Sequence, residues 1–208
     1  MAIRFERRGA TSTDTSRGWP SGWVEALRRV DNGHGPHLVL VGLPGAGKST
    51  LGPLVAQQLG LHFVDLDLFI EARAHRRVSE IFALDGEAAF RRLERDATAH
   101  LARRPSLVLS PGGGWMTQPE VVALLRPPGR IIHLAVSSET ALARMGNEVT
   151  LRPLLGGNNP LHALDDLRRR RATAYATADA VVDTETLTIQ ELVAHLVVLA
   201  TAWGVGVG

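Results

Sequence analysis

The feature that most limits what this chain can become is the run Gly42-Leu-Pro-Gly45-Ala46-Gly47-Lys48-Ser49-Thr50, entered from Leu38-Val-Leu-Val41. Four apolar residues closed by a glycine read as a buried strand. Beyond the loop, Leu51, Leu54, Val55, Gln58 and Leu59 recur at helical spacing until Gly60 ends the pattern. Strand, glycine-rich turn and helix in that order aim the N–H groups of a helix N-terminus at an anion. Gly42, Gly45 and Gly47 supply backbone angles closed to other residues and let the main chain approach phosphate oxygens.

The spacing Gly42-x-x-x-x-Gly47-Lys48-Ser49 is that of a phosphate-binding loop. It makes Gly45, Ala46, Gly47, Lys48, Ser49 and Thr50 the candidates for holding ATP, with Lys48 reaching the outer phosphates and Ser49 ligating Mg2+. Lys48 carries a second signal. It is the one lysine among 23 Lys plus Arg, so a chain that otherwise writes arginine keeps a compact ammonium here.

Composition removes several alternatives. With no cysteine in 208 residues, disulfide frameworks, thiolate metal sites and cysteine nucleophiles are excluded. A net charge of +2 gives no footprint for nucleic acid. Apolar runs such as Leu192 to Ala200, broken by His195, fall well short of the ~20 residues a membrane helix needs. The first residues, which include Arg4, Glu6, Arg7, Arg8, Asp14 and Arg17 with no apolar stretch between them, do not read as a secretory signal, so a cytoplasmic address is expected.

Further strand-like segments at 62–65, 106–110, 130–135 and 180–183 alternate with helical patterns at 48–59, 66–74, 78–84, 86–103, 118–126, 138–145, 161–177 and 188–202. That alternation predicts an α/β fold: a five-stranded parallel sheet with helices on both faces. Residues 1–36 differ, being rich in Thr, Ser, Gly and Arg. They are expected to form an N-terminal extension, partly disordered, in which Trp23, Leu27 and Val30 make one helical stripe that packs on the main domain.

Asp65 and Asp67 stand two apart at the end of the second strand, on the ligand edge of an open parallel sheet. Asp65 suits the Mg2+ shell and Asp67 an acceptor hydroxyl; the competing reading makes the pair a helix cap plus a solvated residue. Arg91 and Glu94 are three apart on one helix face; a surface ion pair is the easy reading, and it suits Arg92 or Arg95. Gly112-Gly113-Gly114 follow the third strand, where backbone can pass close to a ligand. Trp115 beside them either lines the acceptor pocket or packs under it. Arg152 lies in a flexible polar stretch suited to a lid and to charge stabilisation. Of the four arginines Arg168 to Arg171, one or two can face the cleft. The eight histidines lack zinc spacing and read as surface or incidental.

Taken in order, the set resembles shikimate kinase, a small phosphate-loop kinase of the nucleoside-monophosphate-kinase type. The supports are the loop Gly42 to Ser49, Asp65-x-Asp67-x-x-Ile70-Glu71, Phe90-Arg91-x-x-Glu94, Gly112-Gly113-Gly114, Arg152-Pro-Leu-Leu155 and Arg171-x-x-x-Tyr175. The resemblance implies a three-layer sandwich over residues 37–208, with a substrate-binding helical region at about 66–100 and a lid at about 146–160. It implies transfer of a phosphoryl group from ATP, with Mg2+, to the 3-hydroxyl of shikimate in aromatic amino acid (chorismate) biosynthesis. Asp67, Lys48 and Arg152 are then catalytic, Asp67, Arg91, Gly113 and Arg171 hold shikimate, and Ser49 and Asp65 serve the metal. Shikimate is a carboxylate bearing hydroxyls, so two arginines suit its acid end and Asp67 its ring hydroxyls. A monomer is expected, with no nucleic-acid or membrane partner.

Three departures accompany the resemblance. Trp115 stands where the family usually carries a small residue, Met145 falls near a nucleotide-facing arginine of some members, and the segment Asp183 to Ile189 lacks a proline often found there. Two rivals remain open at this stage: a kinase of another small metabolite such as gluconate, and a shikimate-kinase-like sensor of aromatic acids.

Overall fold

The computed structural model describes residues 36–146 and 159–206. The N-terminal extension with Trp23, Leu27 and Val30, the greater part of the expected lid, and Arg152 lie outside the described residues.

Five parallel strands form one sheet in the order β2-β3-β1-β4-β5. They are β1 (Leu38–Val41), β2 (His62–Asp65), β3 (Leu107–Ser110), β4 (Arg130–Ala135) and β5 (Ala180–Asp183). β1 sits at the centre because both of its faces are covered, and its residues alternate between two cores. Val39 and Val41 join Phe69, Ile81, Leu101, Trp115 and Tyr175 on one side. Leu38 and Leu40 join Leu51, Val55, Ile132, Leu134 and Leu196 on the other. A helix layer on each face gives the expected three-layer sandwich.

The helices are α1 (Lys48–Gln58), α2 (Leu66–Ala74), α3 (Val78–Leu101), α4 (Pro119–Val122), α5 (Ser138–Met145), α6 (Pro160–Tyr175) and α7 (Ile189–Ala202). Caps fix several of the starts: Asn159 accepts from the His162 N–H, and Thr188 and Glu191 form a capping box. α3 is broken at Gly86, whose φ of 79° and ψ of 171° separate the segments expected at 78–84 and 86–103. One helix is shorter than its pattern suggested: α4 ends at Val122, not 126. Prolines 127 and 128 disfavour helical backbone just before them, and the chain turns there toward β4. No helix among the described residues is long and apolar enough to cross a membrane.

Because β1 is flanked by β3 and β4, the chain reverses direction across the sheet at the carboxyl end of β1. Open α/β sheets take their ligands at such a point. Here it brings together the loop after β1, the carboxylates after β2 and the glycines after β3.

Candidate active site

The loop after β1 folds around its glycines. Gly45 (φ 79°) and Gly47 (φ 91°) both hold left-handed backbone, and a Cβ on Gly45 would collide with the Ala141 carbonyl. Gly47 caps α1, so the first N–H groups of that helix open into the crevice. Lys48 Nζ donates to the carbonyls of Gly42 (3.0 Å) and Leu43 (2.9 Å), folding its stem back over the loop. Ser49 and Thr50 are exposed at the mouth.

A crevice of about 900 Å3 extends from this loop in two directions. One arm runs past Asp65, Asp67, Ser110, Gly112 and Gly113. The other is walled by Arg144, Met145, Thr184, Leu187, Ile189 and Leu192. Arg144 is fixed there by Thr184, donating from Nη1 to Oγ1 (2.9 Å) and from Nη2 to the carbonyl (2.6 Å). Met145, Leu187, Ile189 and Leu192 make this side of the crevice apolar.

The acid arm is organised by the three glycines. A Cβ on Gly112 would come within 3.0 Å of Asp67 Oδ1, one on Gly114 within 2.5 Å of Arg91 Nη2, and one on Gly113 would overlap Arg171 Nη1 outright. Each glycine therefore makes room for one charged head, and three residues from three separate helical elements meet on one stretch of backbone. Arg171 is buried, and its Nη1 has no hydrogen-bond partner among the described residues. A buried, unsatisfied cationic donor is costly unless an anion completes it. Tyr175, one turn on, donates its hydroxyl to the Gly113 carbonyl at 3.3 Å. Burial raises the Tyr175 pKa, against the opposing pull of Arg171. Of the four consecutive arginines only Arg171 turns inward; Arg168, Arg169 and Arg170 are exposed.

Asp65 is a helix cap, as the competing reading had it, and it also stands on the crevice wall. Its Oδ1 accepts from the N–H groups of Asp67 (3.1 Å) and Leu68 (3.2 Å), starting α2, and the residue also lines the crevice beside Ser49. That cap holds Asp67 in the first turn of α2, facing Gly112.

Two open readings are resolved and one expectation, that of the histidines, is corrected. The Arg91–Glu94 pair is no surface pair: Glu94 is fully buried, and its Oε2 binds Arg91 Nη1 at 2.7 Å. Trp115 does not line the acceptor arm. It is fully buried beneath the glycines, its Nε1 donating to Thr98 Oγ1 at 3.1 Å. Nor are all the histidines incidental: His37 is buried, and His133 on β4 stacks on Tyr175 with ring centroids 4.4 Å apart. Burial, and then nearby Lys48, lower the His133 pKa, keeping the ring neutral.

A phosphate loop at the switch point of a parallel sheet, opening on a crevice lined by Asp65 and Asp67, defines a phosphate-loop kinase of a small molecule. Similarity to known proteins narrows that class. The family model for shikimate kinase matches residues 44–201. A shikimate kinase from Geobacter sulfurreducens is 40% identical over 78% of this chain and 89% of its own length. Among solved structures, a shikimate kinase from Acinetobacter baumannii in complex with shikimate matches with a TM-score of 0.76 and 33% identity, covering 81% of this chain and 94% of that one. A gluconokinase from Sinorhizobium meliloti, at 17% identity and a TM-score of 0.54 over 83% of this chain and 96% of that one, shares the fold alone. The chain belongs to the shikimate kinase family.

Proposed function

We propose that the protein transfers the γ-phosphoryl group of ATP to the 3-hydroxyl of shikimate, in the biosynthesis of aromatic amino acids. The observation that carries this reading is the meeting of Asp67, Arg91 and Arg171 on Gly112, Gly113 and Gly114, beside the phosphate loop. Two cations at one end suit a carboxylate, and a carboxylate nearer the phosphates suits hydroxyls.

ATP lies with its base in the apolar arm between Arg144 and Ile189 and its phosphates on the N–H groups of Gly45 to Thr50. Lys48 exchanges its bonds to Gly42 and Leu43 for phosphate oxygens. The shikimate carboxylate pairs with Arg91 and Arg171, completing the buried Nη1, and Asp67 accepts from the 3-hydroxyl. That hydroxyl oxygen forms a bond to the γ-phosphorus as the bond to the bridging oxygen of ADP breaks, and its proton passes to an Asp67 carboxylate oxygen. Because such transfers are loose, alignment by these side chains and neutralisation by Lys48 and Arg152 outweigh base strength.

Mg2+ fits the donors present: a hydroxyl and a carboxylate from Ser49 and Asp65, both hard oxygen ligands on the crevice wall. Mg2+ usually keeps several waters and takes one or two carboxylates plus substrate phosphates. When bound it would offset the negative charge that builds up on the phosphates during transfer. We also place the protein in the cytoplasm as a monomer, where ATP is supplied.

The test is ADP release with shikimate, quinate, gluconate and nucleoside monophosphates as acceptors. Turnover with shikimate well above the others is expected; turnover with gluconate alone would overturn the reading. The sensor alternative predicts binding of an aromatic acid without ATP turnover, and its motive, Trp115 in the pocket, has gone with the burial of that side chain.

A further inference from the structure

Gln118 lies just past the glycines and the short 3-10 turn Trp115–Thr117, before α4. It is half-buried, and its side chain makes no helix cap. Instead, Nε2 donates to Glu94 Oε2 at 2.6 Å, across from α3. The same oxygen receives Arg91 Nη1 at 2.7 Å, while Glu94 Oε1 is buried without a hydrogen-bond partner among the described residues. One carboxylate oxygen thus carries both donors and the other carries none.

This asymmetry decides how much of Arg91 is available. A guanidinium has five N–H donors. Nε and one hydrogen of Nη2 go to Glu87 Oε1, at 3.2 and 2.8 Å, and one hydrogen of Nη1 goes to Glu94 Oε2. One hydrogen on each Nη is left for an acceptor. Glu94 leaves that pair alone only while its carboxyl plane is held. Rotated about its last torsion, it would offer Arg91 both oxygens and close a bidentate pair of its own. The amide of Gln118, anchored to the turn that carries Gly114, holds that plane.

The turn and helix are joined a second time. Trp115 Nε1 donates to Thr98 Oγ1, which itself donates to the Glu94 carbonyl at 2.8 Å. The backbone of Glu94 is therefore fixed independently of Gln118, and its carboxylate is what Gln118 adds.

We propose that Gln118 is a positioning residue for the acceptor acid: acting through Glu94, it keeps the outer edge of Arg91 open to the substrate carboxylate. This rests on Arg91 as an acceptor-binding residue.

The variant Gln118→Leu removes the donor at similar volume. We expect the KM for shikimate to rise at least about fivefold, as for loss of a hydrogen bond to a charged group, with kcat and the KM for ATP within about twofold. Gln118→Glu supplies a reading that packing alone would not give. The charged groups facing the new carboxylate are Glu94 across the bond and Arg91, with Glu87 on the far side of Arg91. Two carboxylates at that distance share a proton at low pH, which restores the donor, and repel once both ionise. The KM for shikimate in Gln118→Glu should approach wild type near pH 6 and climb toward pH 8.5, while the wild-type KM follows no such trend. An unchanged KM in Gln118→Leu, a parallel loss of kcat and thermal midpoint, or a flat pH profile in Gln118→Glu would overturn the proposal. Absence of shikimate turnover by the wild-type chain would overturn the functional reading with it, whereas normal wild-type turnover beside those results overturns this proposal alone.

Discussion

Gly113 and Arg171 are packed so tightly that a single methyl group on the glycine would occupy the space of the guanidinium nitrogen Nη1. Ala at this position is the smallest change that tests the acid arm. The backbone of Gly113 is not held at positive φ, so the methyl acts by displacing Arg171. We expect kcat/KM for shikimate to fall by about 10²-fold, the cost of misplacing a substrate-aligning group by about an ångström. Retained kcat/KM in Gly113→Ala, measured by ADP release, would remove Arg171 from the acceptor site.

Asp67 is aimed at the same glycines by the Asp65 cap. Asp67→Asn keeps the shape and loses the proton acceptor, so turnover should drop by at least about 10²-fold. The KM for ATP should stay near wild type, because Asp67 faces the acceptor arm. Near-normal turnover in this variant would refute its role.

Lys48 rests between two loop carbonyls, a position reached by a compact ammonium on a flexible stem. Arg in its place keeps the charge but presents a wide planar fork where the loop offers room for a point. Lys48→Arg should therefore lose about 10²-fold or more in kcat, like removal of a charge-stabilising donor elsewhere. Steady-state rates at saturating ATP decide it.

Trp115 is a stability residue. Trp115→Ala should cost about 3 to 5 kcal/mol in urea unfolding, as for other large buried aromatics. Trp115→Phe, which chiefly loses the bond to Thr98, should cost about 1 kcal/mol. Ranking of acceptor acids should survive in Trp115→Phe; a changed ranking would put the indole back in the pocket.

His100 predicts how stability depends on pH. Burial, then Arg104, Arg73 and Arg103, lower its pKa from 6.5 to about 4, and its Nε2 accepts from Arg104 Nε at 3.1 Å, which requires the neutral ring. Between pH 6.5 and about 4 the unfolded chain binds this proton and the native chain does not, so the contribution is full above 6.5 and fades as pH falls through 4. The urea midpoint should decline over that window, and less so in His100→Gln. An identical decline in both would assign the effect to other groups.

Most of the framework was legible because hydrophobic period and loop chemistry act locally. The strands at 62–65, 130–135 and 180–183, and α2 and α5, lie where their patterns put them. The phosphate loop was legible for the same reason, since strand, glycines and helix are contiguous. What sequence could not supply was the side of an element that tertiary packing buries. An i,i+3 Arg–Glu pair has the same spacing whether solvated or, as Arg91–Glu94 is, closed beneath a loop. Trp115 follows its glycines in the chain but points away from the crevice, which spacing does not encode. His133 lies on a strand covered on both faces, where even the alternate residues go inside. The role of Gln118 depends on a contact with Glu94, 24 residues away, and had no local signal at all.

In the proposed reaction, phosphate donor and hydroxy acid meet between Lys48 and Asp67. The most direct measurement is phosphorus NMR of the product formed from ATP and shikimate. One phosphomonoester, on the 3-hydroxyl, is expected, formed in equal amount with ADP and lost in Asp67→Asn. ATP consumed with only inorganic phosphate released, or an ester on another hydroxyl, would contradict it.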